Sequence, residues 1–304
     1  MKICAVVVTY NRLEKLTKVL QSFDNQTVYP DKVYIVNNNS TDGTFELLKK
    51  WNDKDKNFDT EIINLEENIG GSGGFYAGLD KALNDGFDWI WLSDDDAYPD
   101  KDAFKFIYEE IQKYQNDSVA ALCGMVLSND GIDFSHRRNL NGSIFKVKEK
   151  LSTLEDYQKD YFTINALSYV GCILNSQALK KVGLTIKDYF ILYDDTEHSL
   201  RLSEVGKIIC IPKIKVFHDV KKSSNLELSW KSYYGQRNRL DMYKRHFPKR
   251  MYFYHLLRSS VKIVLKFLTG NVVEAKLLYS AVNDCQHNKS GIHPIYKPGW
   301  KPDK

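Results

Sequence analysis

The chain has no stretch of about 18 uncharged apolar residues, so no transmembrane helix is expected. It has no Cys-x-x-Cys pair, and its five cysteines (Cys4, Cys123, Cys172, Cys210 and Cys285) are an odd number. Four of them lie in apolar stretches, where buried thiols are common. That pattern argues for a reducing compartment and against a disulfide framework or a zinc site. A secretory leader is not expected either. Met1-Lys2 leads straight into Ile3 to Val8, an apolar run that ends too soon for one. Internal repeats and low-complexity segments are lacking. Two phosphate signatures are also missing. No Gly-Lys-Ser/Thr of a Walker loop occurs, and Tyr76 stands where G-x-G-x-x-G would need its third glycine after Gly71 and Gly73. With 43% hydrophobic and 27% charged residues over 304 positions, disordered, collagenous and polytopic membrane chains are excluded.

Aromatics are plentiful, at 13% with 19 Tyr, which suits sugar or base stacking, membrane interfaces or large cores. Charge is uneven beneath a net +4. Residues 221–304 hold 17 Lys+Arg against 5 Asp+Glu, whereas residues 1–220 hold 26 against 34. A basic tail on an acidic body points to an anionic surface as partner, or to solubility alone.

The first 120 residues alternate strand and helix patterns. Strands are expected at Ile3–Val8, Lys32–Val36, Glu61–Leu65, Trp89–Leu92 and Val119–Leu127. Helices are expected from Leu13 to Phe23, over Thr44–Trp51 behind a Ser40 or Thr41 cap, near Phe75–Leu83, and from an Asp100 cap to Tyr114. This order predicts an α/β fold, a mainly parallel sheet flanked by helices. Residues 128–165 read as an insertion or loop region. Beyond it come a strand at Ser168–Leu174, helices at Ser176–Val182 and Asp195–Val205, and short strands at Lys207–Ile211 and Ile214–Phe217. From Ser229 the pattern is helical and basic, which divides the chain into 1–228 and a C-terminal region, 229–304.

In open α/β sheets ligands bind beyond the carboxyl ends of the strands. There the chain places Thr9-Tyr10-Asn11-Arg12, Asn37 to Gly43, Asn68 to Gly74, and Asp94-Asp95-Asp96. Three adjacent carboxylates repel unless water or a cation screens them. They suit Mg²⁺ or Mn²⁺, or else form an acidic turn that caps a helix. The glycines permit close approach of a ligand, or merely a flexible loop. Asp194-Asp195-Thr196-Glu197-His198 opens a helix, where carboxylates serve as caps or as a general base. His218 is either structural or completes a metal site with Asp96. Arg258, Lys262 and Lys266 form a basic stripe on an apolar helix, which fits an anionic membrane or a core-packed helix with a solvated face. Nucleic acid is a poorer partner, since the body offers a cleft and no continuous basic groove.

In this order the motifs resemble family 2 inverting glycosyltransferases of the GT-A fold, over about residues 1–220. Val6 to Arg12 looks like the family's opening strand and donor loop, and Ile35 to Thr44 like its second nucleotide loop. The bacterial galactofuranosyltransferase branch is the nearer match. It is carried by Asn68-Ile69-Gly70-Gly71-Ser72-Gly73-Gly74-Phe75, Trp89 to Ala97, Asp194-Asp195-Thr196-Glu197 and His218. Two positions depart from the pattern. Asn37 stands where many members carry Asp, which leaves uracil against thymine open, and Tyr193 stands where a Trp often precedes the base motif. Related rhamnosyl- and glucosyltransferases share much of the set.

The resemblance implies metal-dependent, inverting transfer from a nucleotide-diphosphate sugar, UDP-galactofuranose favoured, to a glycan or lipid-linked hydroxyl. Thr9, Tyr10, Arg12, Asn37, Asn38, Asn68, Gly71, Asp94, Asp95 and Arg237 would hold the donor. Asp94, Asp96 and His218 would hold Mn²⁺ or Mg²⁺, and Asp195 would be the catalytic base. Trp91, Asp194, Glu197 and His198 would meet the acceptor or the sugar. The expected place is the cytoplasmic face of the membrane, as a peripheral protein. The oligomeric state is left open. A nucleotidyltransferase fits less well, because no Gly-rich loop with Arg and Lys follows the first strand. A catalytically silent sugar-nucleotide-binding or assembly protein would keep the donor loops without needing Asp195.

Overall fold

The computed structural model describes residues 1–114, 118–220 and 228–302. The amino-terminal half runs β1 (Ile3–Thr9), α1 (Leu13–Asp24), β2 (Lys32–Asn37), α2 (Thr44–Asn52), β3 (Asp59–Asn64), α3 (Gly70–Asn84), β4 (Trp89–Asp94), β5 (Ala97–Pro99), α4 (Ala103–Lys113) and β6 (Val119–Ser128). There follow β7 (Gly131–Ile132), β8 (Arg137–Gly142), β9 (Val147–Leu151), β10 (Phe162–Ile164), β11 (Ala166–Leu167), β12 (Cys172–Asn175), α5 (Ser176–Val182), α6 (Asp194–Val205) and β13 (Lys207–His218). Three helices close the chain: α7 (Trp230–His246), α8 (Lys249–Leu268) and α9 (Val272–Gln286).

The main sheet has the order β10-β13-β6-β12-β4-β1-β2-β3. β3, β2, β1 and β4 are mutually parallel, and β6 and β13 are parallel to each other. β12 runs antiparallel between β4 and β6. β1 is buried along its whole length because both its faces are covered. Ala5 and Val7 join Leu16 and Phe23 of α1 and Phe104 of α4 in one apolar cluster. Val6 and Val8 join Phe75 and Leu79 of α3 in the other. Each such large side chain, fully buried, contributes roughly 1.5–3 kcal/mol. The register then aligns the polar strand ends. Asn64 pairs with Asn37, Asn37 with Thr9, and Val8 with Asp94.

Several elements differ from expectation. The glycines after β3 are the first turn of α3 and not a loop. A Cβ on Gly74 would lie 2.5 Å from Val8 Cγ1, so glycine there lets the helix lie directly on β1. Residues 128–165 are not irregular either, since β8 and β9 form a small antiparallel sheet with β11. Neither strand alternates cleanly, since β9 is exposed along almost its whole length and β8 buries only Arg137 and Leu140. The two strands expected over 207–217 are one, β13, with a register break between Ile211 and Lys215 where Pro212 withholds a donor. α2 starts behind Gly43 in a left-handed conformation, and Asp42, not Ser40 or Thr41, accepts the Thr44 N–H at 3.2 Å. α4 has Asp102, not Asp100, at its N-cap position.

The C-terminal helices share cores with the body. Phe190 packs with Tyr233, Tyr234, Leu277 and Tyr296, and Leu140 and Leu200 pack with Met242 and Tyr243. No helix among the described residues is long and apolar enough to cross a membrane.

Candidate active site

A cavity of about 250 Å³ opens at the carboxyl ends of β1, β2 and β4. Thr9, Tyr10, Arg12, Asn38, Asn68, Gly71, Asp94 and Asp95 line it, as do Phe190, Ile191, Trp230, Lys231 and Pro298. Asn38 is fixed by two bonds: its amide donates to the Gly70 carbonyl at 2.8 Å, and its oxygen accepts the Ile69 N–H at 2.9 Å. Asn68 accepts the Gly70 N–H at 2.9 Å. These contacts aim the amino end of α3 at the cavity, an arrangement that favours an anion. A Cβ on Gly71 would meet nothing within 4 Å, so that turn has room for a ligand. Asn37 is placed elsewhere. It does not line the cavity, and its side chain bonds Asn64 at 3.0 Å and the Ser40 N–H at 3.1 Å.

The three aspartates have three environments. Asp95 is tied inward, accepting from Thr9 Oγ1 at 2.9 Å, the Tyr10 N–H at 3.2 Å and Arg12 at 3.1 Å. Asp96 pairs with Arg12 at 2.6 Å, Lys15 at 3.3 Å and His218 Nε2 at 3.4 Å. Burial works against its charge, but the His218 hydrogen bond and the Arg12 and Lys15 charges outweigh that and hold the carboxyl at about 2. Asp94 has no hydrogen-bond partner among the described residues. Burial, then the charges of Asp96 and Asp95, push its carboxyl well above the ordinary range, and Asp194 adds to the push.

Hard oxygen donors with excess negative charge and an imidazole form a donor set that fits Mg²⁺ or Mn²⁺. The buried Nδ1 of His218 has no hydrogen-bond partner among the described residues, a second mark of a group prepared for something further. Behind His218 lies a cluster that went unnoticed in the sequence. One oxygen or nitrogen from each of Asp133, His136 and His218 lies within 4.8 Å of the other two. His136 is held by Ser168 Oγ at 2.7 Å and lies edge-on to His218, ring centroids 4.9 Å apart. The only signal was His136 itself, on a short turn in a region read as insertion.

A second cavity, about 760 Å³, lies on the other side of Lys231. Asp195 and Tyr193 line it, with Arg138, Arg239, Lys262 and Leu278. Asp195 accepts from the Thr196 N–H at 2.5 Å and Thr196 Oγ1 at 2.9 Å, both through Oδ1. Its other oxygen has no partner among the described residues. Asp194, beside it, is buried, and burial followed by the Asp195 charge pushes its carboxyl up to about 7.

The segment before these aspartates is strained. Phe190, Leu192 and Tyr193 have φ of 66°, 68° and 66°. Such left-handed non-glycine residues persist only where surroundings impose them, and they cluster at functional sites. The Phe190 carbonyl accepts the Ser72 N–H at 3.1 Å. A Cβ on Gly70 (φ +78°) would lie 2.0 Å from that oxygen, so only glycine fits the junction.

The chain residues 4–183 match the model of the family described as glycosyl transferase family 2. The chain belongs to glycosyl transferase family 2. Galactofuranosyltransferase GlfT1 of Mycobacterium tuberculosis (strain ATCC 25618 / H37Rv) is 30% identical over 206 residues, 66% of this chain and 64% of that protein. A Staphylococcus aureus TarS fragment, residues 1–349 with UDP-GlcNAc, matches with a TM-score of 0.60 at 16% identity, covering 94% of this chain and 80% of that one. Mannosyltransferase PcManGT from Pyrobaculum calidifontis, in complex with GDP-Man and Mn²⁺, matches at 0.54 with 15% identity, covering 95% and 88%. Identities that low establish the fold alone.

Within this family 2 chain four further expected site residues, besides Asn37, line neither cavity. Arg237 is buried, and its guanidinium donates to the carbonyls of Gly291, Asp188 and Tyr189 at 2.7, 3.0 and 3.2 Å. Trp91 lies in the core against Phe104. Glu197 is buried in an ion network with Arg201 at 2.8 Å and His246 at 3.0 Å. His198 donates from Nε2 to the Gly183 carbonyl at 3.0 Å, so its Nδ1 accepts the Tyr169 hydroxyl at 2.5 Å. Burial, then the Arg201 charge, keeps that imidazole neutral, with its pKa lowered to about 3. Conversely, Phe190, Ile191, Trp230, Lys231 and Pro298 were missed. Only Trp230-Lys231 left a signal, an aromatic-basic pair at the start of the basic tail. Ser229 caps α7 with a reciprocal Ser232 bond at 3.3 Å, which sets that pair at the cavity rim.

Proposed function

We propose that this chain transfers a sugar from a nucleotide diphosphate donor to an acceptor hydroxyl, with inversion and with a divalent cation. The observation that carries the reading is the pair of adjoining cavities with Lys231 between them and Asp195 in the second. The nucleotide and diphosphate would lie along Thr9, Tyr10, Arg12, Asn38 and Asn68, beside the amino end of α3. Asp94 and Asp96, with His218, would hold Mn²⁺ or Mg²⁺, which when bound offsets charge growing on the diphosphate. Asp133 and His136 would orient His218 from behind. Lys231 adds a cation where the leaving group departs. Asp195 would take the acceptor proton as the oxygen attacks the anomeric carbon, and a single displacement of this kind needs no enzyme nucleophile.

The GlfT1 likeness and the shared motifs favour UDP-galactofuranose as donor, with rhamnosyl or glucosyl transfer as the nearer alternative. The acceptor in this reading is a lipid-linked glycan precursor at the inner face of the membrane. A donor panel with Mn²⁺ tests the reading: UDP-galactofuranose, UDP-galactopyranose, UDP-glucose and dTDP-rhamnose, scored by diphosphate release and glycan mass gain. Turnover with UDP-galactofuranose alone is expected. Turnover with another donor keeps the mechanism and removes the sugar. Nucleotide binding without any turnover favours a silent sugar-nucleotide-binding protein.

A further inference from the structure

The basic stripe of α8 is partly turned inward in the fold. Lys262 and Lys266, two of the three residues of the basic stripe, turn toward α9 and pair with Glu274 at 3.2 and 2.7 Å. The face turned outward is apolar. Phe253, Leu257, Val261, Val264 and Leu268 recur at intervals of four or three residues and are 58%, 65%, 51%, 57% and 74% exposed. They form a single stripe along a 20-residue helix, about 30 Å long. Its opposite side supplies the packing: Met251 and Tyr252 are buried, and Ser259 bonds Gln236 of α7 at 2.8 Å.

A second element, distant in sequence, extends the stripe. The turn between β8 and β9 carries Ile144 and Phe145, 71% and 56% exposed. It is attached to the start of α8. Arg250 donates to the Ile144 carbonyl at 2.7 Å, and the Val147 N–H donates to His255 Nε2 at 3.3 Å. Soluble monomers rarely expose so large a continuous apolar face.

We infer that this face, the outward stripe of α8 with the Ile144–Phe145 turn, docks on a lipid bilayer bearing anionic headgroups. Charge selects that occupant over a second copy of the chain. α8 carries five Lys/Arg and no Asp or Glu. Lys249 and Arg258 have no acidic partner among the described residues. Pairing two copies through α8 would set cations against cations across a two-fold axis, whereas anionic headgroups would neutralise them. Apolar side chains at this spacing sink about 5–10 Å into the headgroup boundary while cations remain in it. The placement bears on the active site. Lys262 of α8 and Leu278 of α9 wall the cavity that holds Asp195, so a docked α8 sets that cavity next to the lipid surface. This last step rests on the lipid-linked acceptor proposed above; the docking itself does not.

Vesicle flotation with the full chain tests the docking. The chain should float with vesicles of equal parts phosphatidylcholine and phosphatidylglycerol, and far less with phosphatidylcholine alone. The variant Leu257→Ser/Val264→Ser/Leu268→Ser should lose at least about tenfold in partitioning, with circular dichroism unchanged. Phe145→Ser, on the other element, should weaken it independently. A wild-type chain that stays unbound to the anionic vesicles overturns the inference. So does a lipid-free doubling of mass that the triple variant abolishes, since that assigns the face to a second copy. Transfer to a short soluble acceptor should be unchanged in the triple variant. If wild-type transfer persists without vesicle binding, the docking alone is wrong; binding without transfer leaves the docking standing and removes the transferase reading.

Discussion

The side-chain amide of Asn238 lies 2.9 Å from the carbonyl oxygen of Leu192. The same amide reaches the carbonyls of Tyr189 and Ile191, each at 3.0 Å. Asn238 on α7 thus holds the left-handed segment that presents Asp194 and Asp195. Arg237, expected at the diphosphate, holds the carbonyls just before it. These two buried residues hold the backbone just before Asp194 and line neither of the two cavities.

Asn238→Ala is therefore expected to release strain of about 1–3 kcal/mol held in residues 190–193 and to misplace Asp195. Turnover should fall roughly 100-fold with donor binding within a few-fold, since a misplacement near 1 Å costs on that order. Single-turnover kinetics beside nucleotide titration checks this. Equal losses in turnover and nucleotide affinity would assign Asn238 to the donor site.

Lys231→Met removes a cation that has no ion-pair partner among the described residues. Burial and the Arg12 charge lower its pKa, against Asp94 and Asp96, which is what a lysine facing the diphosphate site would show. Turnover should drop about 10²–10³-fold, while stability stays within about 0.5 kcal/mol. Steady-state kinetics and a melting curve measure the two.

His136→Ala should weaken Mn²⁺ binding by about 10–100-fold without removing a residue of the Asp94, Asp96 and His218 set. Titration of free Mn²⁺ by electron paramagnetic resonance reads this directly. Unchanged affinity would disconnect Asp133 and His136 from the metal.

Much of this was legible before the structure. β1 to β4 are short apolar runs ending in polar loops, and period and punctuation locate them. Asp94, Asp96 and His218 stand out because carboxylates and imidazoles are unusual at strand ends, and Asp195 because it lies in an acidic cluster that opens a helix. What was hidden depends on partners far along the chain. Nothing local says that the glycines of α3 lie on Val8, that Arg237 meets carbonyls of residues 188 and 189, or that Lys262 and Lys266 turn to Glu274. Glu197 looks like an acceptor or sugar contact beside two aspartates, yet Arg201 one helical turn on and His246 on α7 pair with it.

That network makes Glu197 a stability residue with a definite pH signature. Burial raises its pKa, but hydrogen bonds from His246 and Arg201 outweigh this and lower it from 4.5 to about 2. A depressed folded pKa contributes stability above the unfolded value, and that stability is lost as pH falls through the folded one. The window here runs from about 4.5 down to about 2. Glu197→Gln should cost about 3–5 kcal/mol at neutral pH and flatten acid denaturation across that window. Urea unfolding at a series of pH values tests both effects.

The central claim is that Asp195 takes the acceptor proton beside a donor site it does not help to build. Asp195→Asn keeps the shape and the bonds that Oδ1 accepts from Thr196. Measured with the preferred donor, Mn²⁺ and acceptor, transfer should fall at least about 10²–10⁴-fold while calorimetric donor affinity stays within a few-fold. Transfer near the wild-type rate would contradict the account.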